Sequence, residues 1–335
     1  MIETLVRKET KVNPLSEPVN GKRPVKIFSG RANIPLAQEI CDYLKLPLGK
    51  INIAPFADGE LYVQIEESVR GCDVFLIQPT CTPVNENIME LLIVLDALKR
   101  ASAEKITVVM PYYGYGRQDR KAAGREPITA KLIADLLSKS GANRILALDL
   151  HATQIMGFFD VLVDHLFATP VLVGHLNSLK LKDIVVVSPD VGGVTRARAF
   201  AKKLNDAPIA ILDKRRPIDK HNTVEVINII GEIKGKTCVV VDDMIDTAGT
   251  VTQGAALLIK EGAKEVLALV THPVLSGPAK DRIDKSPLTN LITTNSIQVP
   301  PERAPKKLKV LSVAPLLAEA IKRIHLDDSV SQMFN

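Results

Sequence analysis

The sequence lacks several features that would assign it to a specialised class of protein. Its four cysteines (Cys41, Cys72, Cys81 and Cys238) form no CxxC pair and lie in or beside apolar runs. This pattern favours reduced, mostly buried thiols in a cytosolic protein over a disulfide framework or a zinc site. No apolar run approaches the roughly 20 residues that span a bilayer, and no signal peptide is visible at the start. We therefore expect a cytoplasmic protein with no membrane partner.

A strong charge imbalance is also missing, since the net charge is only +5 in 335 residues. An excess this mild selects neither a nucleic acid nor an anionic small molecule as the ligand. The composition, 46% hydrophobic and 24% charged, excludes wholesale disorder. The length fits two domains of ordinary size.

Short β-rich runs alternate with helical patterns from Val25 onward. This alternation predicts an α/β protein with mostly parallel sheets and helices on both faces. The predicted strands include residues 74–78, 106–110, 144–149, 184–188, 209–212, 224–230, 237–241 and 266–271. The predicted helices include residues 87–100, 130–140, 171–179, 194–204 and 251–261.

A faint internal repeat indicates two similar halves. A strand, a turn and a helix lead into the next strand through residues 103–106 in the first half and 263–266 in the second. Residues 1–23 have mixed charges and no periodicity, which suggests a flexible leader too short for a helix-turn-helix domain. The predicted organisation is a leader at 1–23, domains at 24–167 and 168–315, and a C-terminal helix and tail at 316–335.

The turn after the strand at 237–241 carries the most chemistry. Asp242 and Asp243, when ionised, suit hydrogen bonds from vicinal sugar hydroxyls, and ligands of open α/β sheets bind beyond such strand ends. Small and hydroxyl residues at 247–250 directly precede a helix, whose first amides favour a terminal phosphate. The alternative is an acidic turn followed by a helix with Thr250 as its N-cap.

The whole stretch at 240–250, VVDDMIDTAGT, resembles the ribose-phosphate loop of the type I phosphoribosyltransferase fold. That resemblance implies two tandem domains of this type, each a mostly parallel sheet flanked by helices. It also implies ribose 5-phosphate contacts from Asp242, Asp243, Asp246, Thr247, Ala248, Gly249 and Thr250.

Three further strand ends carry polar residues. Asp190, before the paired glycines 192–193, suits Mg²⁺, although such a turn is equally typical of a plain helix entry. In the stretch 213–217, DKRRP, the alternate residues Lys214 and Arg216 suit a transferring diphosphate, whereas Arg215 suits solvent. His151 follows a strand beside a carboxylate, and we interpret it as functional.

Together, these segments and YGYGRQDRK at 113–121 resemble a class I ribose-phosphate pyrophosphokinase over residues 25–334. The resemblance implies an ATP-dependent diphosphotransferase that uses Mg²⁺, and its site roles are as follows. Arg117, Gln118 and Asp119 would contact ATP. His151 and Asp190 would position magnesium, and Lys214 and Arg216 would stabilise the transition state.

The segment FADGE at 56–60 looks like the family's adenine-binding turn, which reaches into a neighbouring subunit. By that resemblance Phe56 would stack on the base, Asp58 would read its amino group, and Glu60 would belong to the same ATP site. Composition alone would instead place Phe56 in the core.

Control by phosphate and ADP, and assembly into a hexamer, are also implied by the resemblance. The anion site would use Ser68, Arg70, Arg125, Ser329 and Ser331. No nucleic acid partner is expected.

Two other functions are compatible with parts of this sequence. A nucleobase phosphoribosyltransferase would share the loop at 242–250 but would not explain the segments at 117–119 and 214–216. A non-catalytic regulatory homologue would typically have lost reactive side chains such as His151, Asp190 and Lys214, all of which are present.

Overall fold

The computed structural model describes residues 23–215 and 226–334, which divide into two compact units. The N-terminal unit comprises residues 23–168, 296–298 and 312–334. The C-terminal unit comprises residues 169–215, 226–295 and 299–311. The predictions for Arg216 and for nearly all of the leader fall on residues outside the described ranges.

The N-terminal unit is built around a parallel sheet. Its strands are β1 Val25–Ser29, β2 Ile51–Pro55, β3 Leu61–Ile65, β4 Asp73–Ile77, β5 Lys105–Met110, β6 Arg144–Leu148 and β7 Leu162–Leu166. Among the described residues the main sheet has the order β1-β4-β5-β6-β7 with every pair parallel. Strands β2 and β3 form a separate antiparallel hairpin.

Helices cover this sheet because each buries an apolar stripe. They are α1 Ile34–Leu44, α2 Val84–Arg100 and α3 Thr129–Ser140. Helix α1 illustrates how the local sequence sets a helix start and a buried face. Asn33 caps it by accepting the Leu36 N–H at 3.3 Å, and Leu36, Ile40 and Leu44 recur every four residues on the buried face.

The C-terminal unit contains a larger mixed sheet. Its helices are α4 Thr169–Ser178, α5 Val194–Lys203, α6 Gly249–Lys260 and α7 Ala279–Lys285. Its strands are β8 Ile184–Ser188, β9 Ile209–Arg215, β10 Val226–Ile230, β11 Thr237–Ile245, β12 Glu265–Pro273, β13 Asn290–Thr294 and β14 Leu308–Leu311. Within the described part of the chain the order is β10-β9-β8-β11-β12-β13-β14, and only the edge pair β9–β10 is antiparallel. The predicted α/β class with mostly parallel sheets flanked by helices is confirmed.

The last helix, α8 Ala314–Leu326, belongs to the N-terminal unit and packs against α1. His325 near its end is buried, and its Nδ1 lies 3.0 Å from Oδ2 of Asp73 at the start of β4. The C-terminal helix is thus fixed to the first sheet by a polar contact as well as by apolar packing.

Strands β9 and β11, which carry predicted site residues, are longer than predicted. Strand β11 does not stop at Val241 but continues to Ile245, because β12 keeps pairing with it as far as Ile245 and Pro273. Strand β9 does not end at Leu212. It continues to Arg215, paired in register with Val226 of β10. Asp213 and Lys214 therefore lie in a strand and not in the predicted polar loop.

The helix after β11 also differs from prediction. It begins at Gly249 with Ala248 as N-cap, so Thr250 lies inside the first turn and the alternative of Thr250 as N-cap is wrong. The hairpin β2–β3, helix α1 and strands β13 and β14 were not predicted. Strand β14 shows why, since it lies at a sheet edge and none of its four residues is fully buried.

The cores are apolar, and the cysteines take part in them. All four cysteines are free and buried, which confirms the prediction that the thiols are mostly buried. Phe28 and Leu95 are fully buried in the N-terminal unit, as are Val240 and Leu258 in the C-terminal unit. None of the helices in residues 23–215 and 226–334 combines the length and apolar content that a bilayer crossing requires.

Candidate active site

An acidic pair lies near the carboxyl end of β11. Asp242 and Asp243 are consecutive strand residues, so their side chains leave the backbone on opposite faces. Arg196 from the first turn of α5 nevertheless reaches both, because its Nη1 lies 3.0 Å from Oδ1 of Asp242 and 2.9 Å from Oδ1 of Asp243. The Asp243 N–H donates to the same Asp242 oxygen at 2.9 Å. One guanidinium thus gathers two carboxylates at one point.

This acidic pair is largely buried. The side chain of Asp243 is 4% exposed and that of Asp242 is 23% exposed. Burial raises the pKa of Asp242, and the adjacent Asp243 raises it further, whereas Arg196 and the Asp243 N–H act in the opposite direction. A ligand that donates hydrogen bonds to these oxygens would stabilise their ionised form. Vicinal sugar hydroxyls are such donors.

Sequence reasoning assigned no role to Arg196. Its segment, VTRAR after the paired glycines, was part of the family resemblance but was given no separate chemistry. Arg196 reaches the acidic pair because α5 follows β8, and β8 is the direct neighbour of β11 in the sheet. The strand order brings these segments together across 46 residues of sequence.

The chain after β11 forms a turn into the N-terminus of α6. Ala248 adopts the left-handed conformation with φ of +61°, and α6 starts at Gly249 without a side-chain cap. Thr247 is exposed, and Gly249 and Thr250 are partly exposed. A helix start that no side chain caps offers its first amides and its partial positive charge to an anion. The turn suits the terminal phosphate predicted for it.

The glycine turn after β8 holds the predicted magnesium ligand. Oδ1 of Asp190 accepts the Gly193 N–H at 2.8 Å, and the Ser188 hydroxyl donates to the Asp190 carbonyl at 2.7 Å. A Cβ on Gly193 would lie 2.8 Å from the Ser188 hydroxyl, so a larger residue there would displace that hydroxyl. The Asp190 side chain is exposed at the sheet edge.

A single exposed carboxylate fits magnesium. Mg²⁺ keeps several waters and usually binds through one or two carboxylates together with substrate phosphates. Among the described residues, no group of three or more His, Cys, Asp or Glu side chains converges as a metal cluster. Asp190 fits a metal that arrives with its phosphate ligand.

Three strand ends meet at one edge of the C-terminal sheet. Strand β8 lies between β9 and β11 and runs parallel to both. The Asp190 turn, the acidic pair and the Asp213–Arg215 segment therefore follow or end neighbouring strands on the same side. This is the edge at which open α/β sheets bind ligands.

The predicted ATP residues of the N-terminal unit lie in the loop after β5. Gly114 fixes its course, because a Cβ there would lie 2.3 Å from the Thr80 carbonyl oxygen. Arg117 and Gln118 are exposed, and Asp119 accepts a hydrogen bond from Gln154 Nε2 at 2.6 Å. Two of the three side chains thus face solvent.

His151 lies beside this loop. It is exposed after β6, and a Cβ on Gly116 would lie 3.5 Å from the His151 Cβ. The preceding Leu150 N–H donates to His165 Nε2 at 2.9 Å, which holds the backbone at this point. The structure therefore brings His151 and the ATP loop together within one unit.

The predicted adenine-binding turn is the tip of the β2–β3 hairpin. Phe56 is 54% exposed, so the expectation from composition that it lies in the core is wrong. Its ring lies edge-on to Tyr62 with centroids 6.0 Å apart. Asp58 accepts the Glu60 N–H at 3.1 Å, and both side chains are exposed. The turn presents an aromatic face and two carboxylates outward.

The predicted regulatory residues are only partly brought together. The hydroxyls of Ser329 and Ser331 lie 2.9 Å apart, and Arg323 Nη1 donates to the Ser329 carbonyl at 2.9 Å. Arg323 is also paired with Glu319 one turn earlier in α8, at 2.8 Å. The tail is thus tied to its own helix.

The other three regulatory residues are all exposed: Ser68, Arg70 and Arg125. In residues 23–215 and 226–334, no hydrogen bond or ion pair links them to the tail serines. The described protomer does not by itself assemble the predicted anion site.

Family models match both ends of the chain. Residues 25–141 match the model described as the N-terminal domain of ribose phosphate pyrophosphokinase. Residues 205–335 match the model described as the phosphoribosyl synthetase-associated domain. The matched segments include the ATP loop and the acidic turn.

Relatives match over nearly the whole chain. A ribose-phosphate pyrophosphokinase from Nostoc sp. is 57% identical over 324 residues, covering 97% of this chain and 98% of the relative. Ribose-phosphate pyrophosphokinase 1 from Spinacia oleracea is 60% identical over 312 residues, covering 92% of each chain. The crystal structure of phosphoribosylpyrophosphate synthetase from Mycobacterium smegmatis superposes with a TM-score of 0.86 at 43% identity, covering 90% of this chain and 99% of that one.

Proposed function

The chain belongs to the ribose-phosphate pyrophosphokinase family, and from that premise we propose how its residues carry out the family's reaction. The enzyme transfers the β,γ-diphosphate of ATP to the 1-hydroxyl of ribose 5-phosphate and yields 5-phosphoribosyl 1-diphosphate and AMP. The bond from the anomeric oxygen to the β-phosphorus forms as the bond from that phosphorus to the AMP oxygen breaks. The observation that carries the proposal is the acidic pair directly followed by an uncapped helix start.

Ribose 5-phosphate binds along the turn from β11 to α6. Asp242 and Asp243 accept the sugar hydroxyls, and Arg196 holds the two carboxylates in place. The 5-phosphate binds the amides of Thr247, Ala248 and Gly249 at the start of α6, and the side chains of Asp246 and Thr250 complete this binding turn. The sugar is thereby gripped at both ends, which leaves the anomeric hydroxyl oriented for attack.

The transferring diphosphate is met by cationic side chains. Lys214 and Arg216 are the residues we assign to the transition state, where negative charge spreads over the phosphoryl oxygens. Support for Lys214 is the position of β9, whose end lies at the ligand-binding edge beside β8. Arg216 is assigned from the family motif alone. Placement and charge neutralisation carry most of the rate, because the protein does no covalent work in this reaction.

ATP binds through the N-terminal unit. We assign Arg117, Gln118 and Asp119 to ATP, and their grouping near His151 supports the assignment. The hairpin tip supplies Phe56 for stacking on adenine, with Asp58 as the acceptor for its amino group and Glu60 nearby. An aromatic ring more than half exposed is consistent with a ligand-facing role.

Magnesium is the proposed metal. Asp190 and His151 are its candidate ligands in their respective units, and the exposed carboxylate of Asp190 has the oxygen chemistry that Mg²⁺ prefers. When bound, Mg²⁺ neutralises charge on the phosphate oxygens of ATP.

A second copy of the chain is proposed to complete the ATP and regulatory sites, as a hexamer. Exposure of the hairpin tip and the separation of Ser68, Arg70 and Arg125 from the tail serines support this. Phosphate and ADP are the proposed effectors of the site formed by these residues with Ser329 and Ser331. The cytoplasm is the proposed location, because four free cysteines suit a reducing compartment.

The test is a coupled assay for AMP with the purified protein, Mg²⁺, ATP and ribose 5-phosphate, run with and without inorganic phosphate. We expect AMP and 5-phosphoribosyl 1-diphosphate in equal amounts, and more of both when phosphate is present. Parallel reactions contain 5-phosphoribosyl 1-diphosphate with adenine, guanine or hypoxanthine. Nucleotide formation there without AMP release from ATP would contradict the proposal in favour of a nucleobase phosphoribosyltransferase.

A titration calorimetry experiment addresses the remaining alternative. A non-catalytic regulatory homologue would bind ATP and ribose 5-phosphate yet release no AMP.

Gel filtration with light scattering, with and without phosphate, tests the hexamer. A monomer under assay conditions that is fully active would overturn the shared-site part of the proposal.

A further inference from the structure

Arg282 on α7 reaches the proposed phosphate turn from outside. Its Nη1 donates to the carbonyl of Thr247 at 3.0 Å. The same nitrogen would lie 3.4 Å from a Cβ built on Gly249. A cationic side chain 35 residues further along the chain thus touches the turn that leads into α6.

This cation has no carboxylate partner within the described ranges. Its hydrogen bonds there are the Thr247 contact and the backbone bond to Pro278 in its own helix. Lys280, two residues earlier in α7, makes its contact elsewhere, because its Nζ donates to the Glu302 carbonyl at 2.8 Å and not to the turn. The charge of Arg282 is therefore uncompensated by an acid beside a turn that suits an anion.

The turn needs an external support. Ala248 is held at φ of +61°, a conformation that costs a residue with a Cβ roughly 1 kcal/mol and persists only where surrounding contacts fix it. The bond from Arg282 to Thr247 constrains the residue immediately before Ala248. The Thr252 hydroxyl, in the first turn of α6, also constrains the turn by donating to the Ala248 carbonyl at 2.8 Å.

We propose that Arg282 is a positioning residue for the 5-phosphate of the sugar substrate. It holds the Thr247–Gly249 turn in the form that binds the phosphate, and its charge favours the dianion at that place. This inference rests on the proposed function of the turn. It adds a side chain that neither the strand-end pattern nor the resemblance assigned.

The test compares Arg282→Ala and Arg282→Lys with Lys280→Ala, a matched control that removes one charge from the same helix without touching Thr247. We expect Arg282→Ala to raise KM for ribose 5-phosphate about tenfold or more, with KM for ATP within about twofold. Arg282→Lys should lie between this variant and the parent, since an ammonium keeps the charge but loses the planar fork. Lys280→Ala should leave both KM values within about twofold of the parent.

Several outcomes would overturn the inference. One is a KM for ribose 5-phosphate within twofold of the parent in a folded Arg282→Ala protein. Another is an equal rise of both KM values, or the same rise in Lys280→Ala. If Arg282→Ala does not fold, Arg282→Lys decides, because an unchanged KM for ribose 5-phosphate in that variant counts against the inference.

Failure of the underlying function would look different. Asp243→Asn probes the sugar hydroxyls of the same substrate without touching Arg282. If Asp243→Asn also leaves KM for ribose 5-phosphate unchanged, the whole turn is wrongly assigned. If Asp243→Asn raises it and Arg282→Ala does not, only the role of Arg282 is wrong.

Discussion

Strand β4 in the N-terminal unit and β11 in the C-terminal unit are both inner strands of a largely parallel sheet, and each is followed by a helix. Their carboxyl ends treat polar groups in opposite ways. Gln78, directly after β4, donates its Nε2 to Glu90 of helix α2 at 3.0 Å. Glu90 is 1% exposed and also accepts the N–H and the Nε of Arg31 at 2.6 and 2.5 Å. Every one of these partners comes from the protein.

Near the carboxyl end of β11, two acidic residues lie side by side. Asp242 and Asp243 share one guanidinium, and burial together with mutual repulsion raises the pKa of Asp242. An inner strand is thus followed by a buried polar cluster in the N-terminal unit and by the proposed sugar site in the C-terminal unit. A strand end becomes a binding site where its polar groups are left to be completed by a ligand.

The largest effect is expected from the cationic end of β9 in the C-terminal unit. Lys214→Ala should lower kcat about 1,000-fold and leave KM for ATP within about threefold, because its charge acts on the transition state. Steady-state kinetics measures both constants. Lys202→Ala, at the exposed end of α5, is the control and should be active. Turnover within a few-fold of the parent in Lys214→Ala would remove the transition-state assignment.

Asp243→Asn should weaken sugar binding near the carboxyl end of β11. We expect KM for ribose 5-phosphate to rise about 10- to 100-fold, since a hydrogen bond to a charged acceptor contributes roughly 1.5–3 kcal/mol. KM for ATP should stay within about twofold. Saturation behaviour with ribose 5-phosphate identical to the parent's would rule out a hydroxyl contact.

Glu90→Gln should lower the stability of the N-terminal unit without affecting the proposed sugar site. The substitution removes the charge that Arg31 and Gln78 surround, and we expect the free energy of unfolding to fall by about 2 kcal/mol. Denaturant titration measures the loss. KM for ribose 5-phosphate should not change, which is the reverse of the result for Asp243→Asn. If Glu90→Gln altered that KM and left stability intact, the contrast between the two strand ends would be wrong.

Asp242→Asn should produce the smallest effect, and one that depends on pH. A carboxyl whose pKa is raised in the folded state binds its proton more tightly there than in the unfolded chain. Its contribution to stability is present below the unfolded pKa of about 4 and is lost as pH rises through the folded value. Asparagine does not titrate, so the variant should gain stability relative to the parent as pH rises.

We expect this gain to be about 1 kcal/mol between pH 5 and 8, measured by urea unfolding at several pH values. Asp160→Asn, at an exposed position, is the control and should show no such trend. A difference between Asp242→Asn and the parent that is flat or falls with pH would contradict the raised pKa.

Much of the fold could be predicted because periodicity is local. Apolar runs predict the buried strands β5, β8 and β12, and helical spacing predicts the helices α2, α3 and α6. Edge elements such as β14 and the β2–β3 hairpin are half exposed and carry no comparable signal. The ends of β9 and β11 were misjudged because polar residues normally end a strand, whereas here pairing with β10 and β12 carries the strands through them.

The candidate site was predictable where its residues are contiguous. The turn from Asp242 to Thr250 can be recognised in one stretch of sequence, as can the Asp190 turn. Arg196 and Arg282 could not be found in this way. Each acts on β11 or the turn after it from another helix, and a lone arginine on a helix is most often a solvated surface residue.

The sequence by itself determined the class of fold, the family and the contiguous turns that we propose to bind the substrate, because those depend on neighbours within a few residues. Only the tertiary structure decided which distant side chains contact each of these segments. It set Arg196 against the acidic pair, Arg282 against the phosphate turn, and Arg31 with Gln78 around Glu90. The physical reason is that charge pairing depends on distances of about 3–4 Å, and strand order, which no local pattern encodes, sets those distances.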